Sequence, residues 1–250
     1  NGISVKLFFS GSPKGTGNGA SIAAALAVGL FELLGKKPSL DELFKAVYVS
    51  ESFLHGNASG IDPRTVLSKN AVKFRKEYLA DGSVTFSFTE DKLCLPDKTE
   101  LLIVKKNGVE SKQTTGDLVA LFSQTKFGKK PNELSESERK LVQNDFNPVV
   151  LGIEKELHKN GDAKKLGELF NENHALLKAG NVSSPNIEEG IKICLQNGAL
   201  GAKLTGAGGE AGAFIALVWK KDVQKIKQKL EDNAFTAFEA KLAEYGPRIE

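Results

Sequence analysis

Hydrophobic and polar residues recur along the chain with two periods, which predict a mixture of helices and short strands. The alanine- and leucine-rich run at residues 20–34 is typical of a helix, and we expect Gly35 and Pro38 to end it. Short apolar or alternating runs predict strands. The candidate strands are residues 5–9, 72–74, 84–88, 101–104, 211–218 and 236–242.

Capping residues predict where the other helices begin, because their side chains accept hydrogen bonds from the first backbone N–H groups. The predicted starts are Ser39 with Glu42, Ser135 with Glu138, Asp162, Ser184 with Pro185, and Asp222. Helices are expected to end near residues 54, 177, 198 and 233. Pro148 predicts a break or a kink, because proline disfavours helical backbone at the residue before it, here Asn147.

The order of these elements favours an α+β fold with two layers. Strands precede a helical stretch that begins near Thr114, and a strand–helix–strand sequence follows it. A chain of 250 residues is long enough for one large domain or two smaller ones. Pro96 and Asp97 form a candidate hinge between two such domains.

Charge and cysteine content exclude several classes of protein. The net charge of +3 is too small to favour nucleic acid or an anionic membrane surface as a partner. The longest apolar run, at residues 22–34, is too short to span a bilayer. Cys94 and Cys194 lie in apolar contexts without metal-ligand spacing, so they are predicted to be reduced core thiols of a cytoplasmic protein.

A glycine-rich segment precedes the first predicted helix. Gly15, Gly17 and Gly19 alternate with other residues directly before the alanine-rich run. Glycines let a phosphate approach the backbone closely, and a helix start presents N–H groups and the positive end of the dipole. The segment is neither a Walker loop nor a dinucleotide fingerprint. It is therefore a candidate phosphate site, although such turns are also common as plain structure.

Two carboxylates follow in the chain. Glu51 and His55 are four residues apart on one face of the second predicted helix. Asp62 lies in the segment 56–63, which its turn residues predict to be a loop. Each has an alternative interpretation without function, since Glu51 could be an exposed carboxylate paired with His55, and Asp62 a turn residue before Pro63.

Three segments together resemble the GHMP kinases, namely PKGTGNGAS, ESFLHGNASGID and KLTGAGGEAG. The middle block most resembles the members that phosphorylate mevalonate. The resemblance runs from about Leu7 to the end of the chain. It implies a two-domain α+β fold, with an N-terminal half at residues 1–98 that resembles a ribosomal protein domain and a ferredoxin-like C-terminal half at residues 99–250.

The resemblance also implies a role for each matching residue. Asp62 matches the catalytic aspartate, while Ser21 and Glu51 match the ligands of Mg²⁺. His55, Gly56 and Asn57 are implied to line the acceptor side. The implied ATP-binding residues are Pro13, Lys14, Gly15, Thr16, Gly17, Asn18, Gly19, Ala20, Ser21, Gly206 and Gly208.

Several residues depart from the family pattern. Ala20 stands where a serine is usual, and Asn18 where an apolar residue is usual. Glu210 interrupts the glycines of the last motif, where its charge would weaken phosphate binding unless it points away. Thr114 or Thr115 is the candidate match to a family threonine near the active site. The chain has no Met and no counterpart of the family's first motif and first strands, so we expect either a missing N-terminal part or an incomplete kinase.

The function that these residues imply is ATP-dependent phosphorylation of the 5-hydroxyl of mevalonate in isoprenoid biosynthesis, with ATP and Mg²⁺ as cofactors. A homodimer is compatible with the resemblance. Two alternatives stay open. One is another GHMP kinase, acting on phosphomevalonate, homoserine or a sugar. The other is a nucleotide-binding pseudokinase, which Ala20, Glu210 and the absent first motif would favour.

Overall fold

The computed structural model describes residues 17–55, 59–78 and 84–240, together with residues 4, 6, 246 and 247. The chain forms two compact units, the first comprising residues 1–92 with 242–250 and the second residues 93–241. The predicted division after residue 98 assigns residues 93–98 to the first half, whereas here they belong to the second unit. The predicted strand at residues 5–9 lies outside the described residues.

The first unit contains three helices and a two-stranded antiparallel sheet within its described residues. Its elements are α1 (Asn18–Leu33), α2 (Leu40–His55), α3 (Ile61–Leu67), β1 (Ala71–Tyr78) and β2 (Val84–Asp91). The helices pack around Ala20, Ala24, Val47 and Leu67. Alanines at positions 20 and 24 form one small-residue stripe on α1, so α2 can approach closely. The predicted capping box of Ser39 and Glu42 is present before α2.

Aromatic side chains connect α2 to the small sheet. Phe44 and Tyr48 stack one turn apart on α2, with ring centroids 5.8 Å apart. Phe44 meets Phe88 of β2 edge to face, and Phe88 in turn packs on Phe74 of β1. This cluster gives the two strands an apolar surface on which to fold, which a two-stranded sheet needs in water.

The second unit is a four-stranded antiparallel sheet with helices. Its elements are β3 (Thr99–Lys106), α4 (Thr115–Phe127), α5 (Glu136–Glu156), α6 (Ala163–Ala179), α7 (Pro185–Gln196), β4 (Gly201–Thr205), β5 (Ala213–Trp219), α8 (Val223–Glu231) and β6 (Phe235–Ala240). The strand order is β4-β5-β3-β6. Together with the chain order of strand, helices, two strands, helix and strand, this is the ferredoxin-like topology that was predicted.

The core of the second unit lies on both faces of this sheet. On one face, Leu102, Val104, Phe214 and Phe235 pack with residues of α7 and α8. On the other face, Leu217 packs with residues of α6. Alternate strand residues point to opposite faces, so each strand contributes to both layers.

The local structure differs from the sequence predictions at three places. Residues 61–63 are helical and do not form a loop. Gly60 is the N-cap of α3, and Pro63 is tolerated in the first turn because the N–H that proline lacks would have no acceptor inside the helix there. Of the break or kink predicted at Pro148, the break does not occur, because helix α5 continues through this residue. Strand β4 was not predicted, since Gly201 and Ala202 have low strand propensity and pairing with β5 determines the conformation.

The predictions for the two cysteines and for the helix cap at Asp222 have different outcomes. Cys194 is buried as predicted, and burial raises the pKa of its thiol to about 12. Cys94 is exposed, so the prediction of a core thiol is wrong there. Asp222 occupies the N-cap position of α8, but its side chain makes no capping hydrogen bond. None of the described helices is long and apolar enough to cross a membrane.

Candidate active site

The first turn of α1 is built to expose backbone. Gly17 occupies the N-cap position with a φ of 79°, a conformation that L-residues with side chains rarely adopt. Helix geometry leaves the N–H groups of the first turn, such as those of Gly19 and Ala20, without an acceptor inside the helix. The side chain of Ala20 is buried in the core of the unit. Any role of Ala20 toward a nucleotide therefore belongs to its backbone.

Ser21 lies on the exposed side of this turn. Its hydroxyl donates a hydrogen bond to the carbonyl of Gly17 at 3.1 Å. A hydroxyl that has donated its one proton keeps lone pairs as acceptors. Ser21 can therefore present an oxygen ligand to a cation.

Glu51 lies against the same turn. It is only 5% exposed, so the alternative interpretation of an exposed helix carboxylate is wrong. A Cβ atom on residue 19 would lie 2.8 Å from Oε1 of Glu51, so a side chain there would require the Glu51 carboxylate or the start of α1 to move. The absence of a side chain at Gly19 thus lets a carboxylate from α2 reach the start of α1. Buried carboxylates are rare unless a charge, a hydrogen-bond network or a metal compensates them.

Asp62 is in the first turn of α3, with its side chain exposed. The start of this helix is held in place on two sides. Gly60, with a φ of 78°, packs against Phe44, and Arg64 forms an ion pair of 3.3 Å with Glu90 of β2. Asp62 therefore has a fixed backbone position and an accessible carboxylate, which suits a group that must meet a substrate.

The second unit has its own glycine-rich turn, between β4 and β5. Gly206, Gly208 and Gly209 all have positive φ values, of 68°, 86° and 78°. A Cβ atom on residue 208 would lie 2.1 Å from the carbonyl oxygen of Val182, and the N–H of Gly209 donates to that same oxygen at 2.8 Å. The turn is thus packed directly on the segment before α7.

Glu210, whose charge would weaken phosphate binding at this motif unless it points away, is exposed. Its carboxylate and its carbonyl lie 3.5 Å and 3.4 Å from Nδ2 of Asn186, in the first turn of α7. The amide therefore gives the Glu210 side chain a partner at the start of α7.

The structure does not describe every predicted site residue. Residues 13–16, 56 and 57 lie outside the described residues, as does the side chain of His55. Of the residues that are described, Gly17, Gly19, Ser21 and Glu51 come together at the start of α1. Thr114 caps α4 through a capping box with Asp117, and Gln113 beside it lies against Gly209.

Sequence reasoning missed a buried polar network beside the second glycine-rich turn. His174 of α6 is hydrogen bonded to Glu188 of α7, at 2.9 Å between Nε2 and Oε1. Lys203 of β4 is half-buried, and burial lowers the pKa of its ammonium group to about 8. The sequence patterns predicted no role for His174. Its position on the buried face of an amphipathic helix, beside Phe170 and Leu177, was the available signal.

Comparison with known proteins identifies the family. The model for the GHMP kinases N terminal domain matches residues 4–68, and that for GHMP kinases C terminal matches residues 153–237. The mevalonate kinase of Pyrococcus abyssi is 31% identical over 254 residues, which include 100% of this chain and 69% of the relative. This chain belongs to the GHMP kinase family.

Other GHMP kinases agree with this assignment. The mevalonate kinase of Thermococcus onnurineus is 30% identical, over 100% of this chain and 70% of its own. The crystal structure of L. major mevalonate kinase in complex with R-mevalonate has a TM-score of 0.70 and 25% identity. That match covers 87% of this chain and 62% of the solved chain. The structure of Lactococcus lactis galactokinase, at 20% identity and a TM-score of 0.61, shares the fold.

Proposed function

We propose that this GHMP kinase transfers the terminal phosphoryl group of ATP to the primary 5-hydroxyl of mevalonate. The observation that carries the proposal is the buried carboxylate of Glu51 at the glycine-rich start of α1. An acidic group beside a phosphate-binding helix start would repel phosphate unless a cation lies between them. That combination is what a metal-dependent kinase needs, and the two sequence relatives described above are mevalonate kinases.

The start of α1 is the proposed site for the ATP phosphates. Backbone N–H groups at Gly19 and Ala20 and the positive end of the helix dipole favour an anion there. The preceding residues 13–16 are proposed to continue this contact. In the second unit, Gly206 and Gly208 are proposed to contribute backbone groups to nucleotide binding, since both have positive φ values and successive backbone N–H groups in such a turn can bind an anion.

The side chains at the start of α1 fit Mg²⁺. Gly19 leaves room for a carboxylate oxygen of Glu51, and Ser21 retains acceptor lone pairs after donating to Gly17. Mg²⁺ prefers a few hard oxygen ligands together with phosphates and water, so one carboxylate and one hydroxyl are sufficient protein ligands. When bound, the ion neutralises phosphate charge.

Asp62 is proposed to orient the acceptor hydroxyl and to accept its proton. The oxygen–phosphorus bond to mevalonate then forms as the bond to the leaving ADP breaks, and the hydroxyl proton passes to the Asp62 carboxylate. Phosphoryl transfer depends on positioning and charge neutralisation more than on covalent catalysis, so a well-placed carboxylate is enough. His55, Gly56 and Asn57 are proposed to line the acceptor side.

A panel of acceptors tests the proposal. ADP release is measured with mevalonate, phosphomevalonate, homoserine and galactose at saturating ATP and Mg²⁺. We expect kcat/KM for mevalonate to exceed the others by at least roughly a hundredfold, because the polar groups of a site that matches one acceptor are left unpaired by another. Preference for another acceptor would identify a different GHMP kinase. ATP binding by calorimetry without ADP release from any acceptor would identify a pseudokinase instead.

The same assay with Asp62→Asn separates the chemical role from the structural one. We expect kcat to fall by roughly two decades or more while the KM for ATP changes little, as for loss of a general base. Asp41→Asn is the matched control, because Asp41 is also an exposed aspartate in the first turn of a helix. A kcat near that of the parent for Asp62→Asn would show that Asp62 has no role in proton transfer.

A further inference from the structure

Strand β4 is at the edge of the sheet and leads directly into the glycine-rich turn. In an antiparallel edge strand, alternate N–H groups point away from the neighbouring strand and need another acceptor. In β4 these are the N–H groups of Ala202 and Leu204. Both donate to side chains of α6, the first to Oδ1 of Asn171 at 2.9 Å and the second to Nδ1 of His174 at 3.3 Å.

Helix α6 lies close enough to make these bonds because two glycines touch. A Cβ atom on Gly201 would lie 1.9 Å from the carbonyl oxygen of Gly167. The edge strand is therefore in backbone contact with α6 near its first residue and is hydrogen bonded to it near its last. The second of these hydrogen bonds, at Leu204, lies two residues before Gly206.

The hydrogen bonds of His174 define its protonation state. A backbone N–H can only donate, so Nδ1 must be the acceptor and the proton must be on Nε2. Nε2 then donates to Oε1 of Glu188. The imidazole is neutral in this arrangement, since a proton on Nδ1 would oppose the N–H of Leu204.

Glu188 extends the network to the other side of the turn. It accepts hydrogen bonds from the hydroxyl of Ser183 and the ammonium group of Lys178, both at 2.6 Å. Ser183 follows Val182, whose carbonyl accepts from Gly209. The strand before the glycine-rich turn and the segment beside the turn are thus both connected to one carboxylate.

We propose that His174 is a positioning residue that holds the Gly206–Gly209 turn in the conformation that binds nucleotide phosphate. This rests on the proposed kinase function. Neutral imidazole is the only form that bonds both Leu204 and Glu188, so the hydrogen bond from α6 to the end of β4 exists only while His174 is neutral. Protonation would break that bond and leave the turn held by the pairing of β4 with β5 and by the hydrogen bond from Gly209 to Val182.

The pKa of His174 is below its ordinary value of 6.5, because burial outweighs the opposing effect of Glu188. The charged groups that face the ring are Glu188 of α7, Lys178 of α6 and Lys203 of β4, and the two lysines also lower the pKa. A cleft of about 400 Å³ between α6 and α7 reaches both His174 and Glu188, so protons can enter from solvent. The stabilisation is complete above pH 6.5 and is lost as the pH falls toward the lowered value.

The test compares His174→Gln and His174→Leu with the parent chain. Glutamine has an oxygen that can accept from Leu204 and an amide that can donate to Glu188, and it does not titrate, whereas leucine can do neither. His158→Gln is the matched control, since His158 is an exposed histidine of the same unit. The readouts are amide hydrogen-exchange protection at residues 202–212 and the KM for ATP, each measured between pH 5 and pH 8.

At pH 8 we expect His174→Leu to lose roughly tenfold in protection at residues 204–210 and to raise the KM for ATP with little change in kcat, while His174→Gln stays near the parent. Below pH 6.5 the parent should lose protection and His174→Gln should not. Equal pH dependence in the parent and His174→Gln would overturn the proposal, even if His174→Leu failed to fold. Hydrogen exchange does not require catalysis. Absence of kinase activity would therefore refute the proposed function without affecting the hydrogen-exchange test of His174.

Discussion

Gly19 and Glu51 meet at the first turn of α1, where any side chain on residue 19 would collide with the carboxylate. The contact explains why a glycine at position 19 occurs together with a buried glutamate at position 51. The structure also changes the interpretation of Ala20, because its side chain belongs to the core beside Val47 and Leu67. A serine hydroxyl at position 20 would face that core, so its loss removes nothing from the exposed side of the turn.

The role of Glu51 can be tested by removing its charge. Glu51→Gln keeps the shape of the side chain but has one neutral oxygen in place of a carboxylate, so Mg²⁺ should bind more weakly. We expect the Mg²⁺ concentration for half-maximal turnover to rise by roughly tenfold or more, the effect of a charged interaction worth about 1.4 kcal/mol. The measurement is an Mg²⁺ titration of ADP release.

Glu32→Gln is the control for this titration, because Glu32 is an exposed glutamate at the other end of α1. Thermal melting of both variants should stay near that of the parent. An unchanged Mg²⁺ requirement in Glu51→Gln, with a normal melting temperature, would remove Glu51 from the metal site.

Among the elements, the turn between β4 and β5 meets two steric requirements at a single residue. Gly208 has both a left-handed φ and a carbonyl oxygen of Val182 at 2.1 Å from where a Cβ would lie. The first feature costs about 1–2 kcal/mol for a residue with a side chain. The second adds a backbone clash that can be relieved only by moving the turn away from the segment before α7.

Gly208→Ala should therefore destabilise the protein by more than the left-handed conformation alone. Gly108→Ala is the matched control, since Gly108 has a φ of 68° and no atom within 4 Å of its would-be Cβ. We expect Gly208→Ala to lose at least about 2 kcal/mol more free energy of unfolding than Gly108→Ala, measured by urea denaturation. Equal losses in the two variants would mean that the turn can move without cost.

At the scale of the whole molecule, the two cysteines report on the second unit in different ways. Cys94 is exposed, while Cys194 is buried in the core with a pKa raised to about 12. The thiolate is the reactive form, so at pH 8 burial keeps Cys194 almost entirely in the unreactive thiol form.

We therefore expect one thiol to react quickly with a chromogenic disulfide reagent in the native protein and two in the denatured protein. Cys94→Ser should abolish the fast phase, and Cys194→Ser should leave it unchanged. The slow labelling of Cys194 then measures opening of the core of the second unit. Two fast phases in the native state would contradict the buried position of Cys194.

The sequence by itself determined the elements whose causes are local. The capping boxes at Ser39 and Ser135 are present as predicted, because the interacting groups are only three residues apart. The glycine-rich segments and the family to which they belong were also evident from residue order. The α+β class followed from the order of strands and helices, which requires no knowledge of their packing.

Only the tertiary structure decided what depends on contacts distant in sequence. Strand β4 exists because β5 and α6 satisfy its two edges, although its own residues have little strand propensity. The burial of Glu51 depends on α1 packing on α2. The network of His174 joins side chains and backbone groups from α6, α7 and β4. Burial and hydrogen-bond partners are properties of the folded arrangement, so no local pattern could assign them.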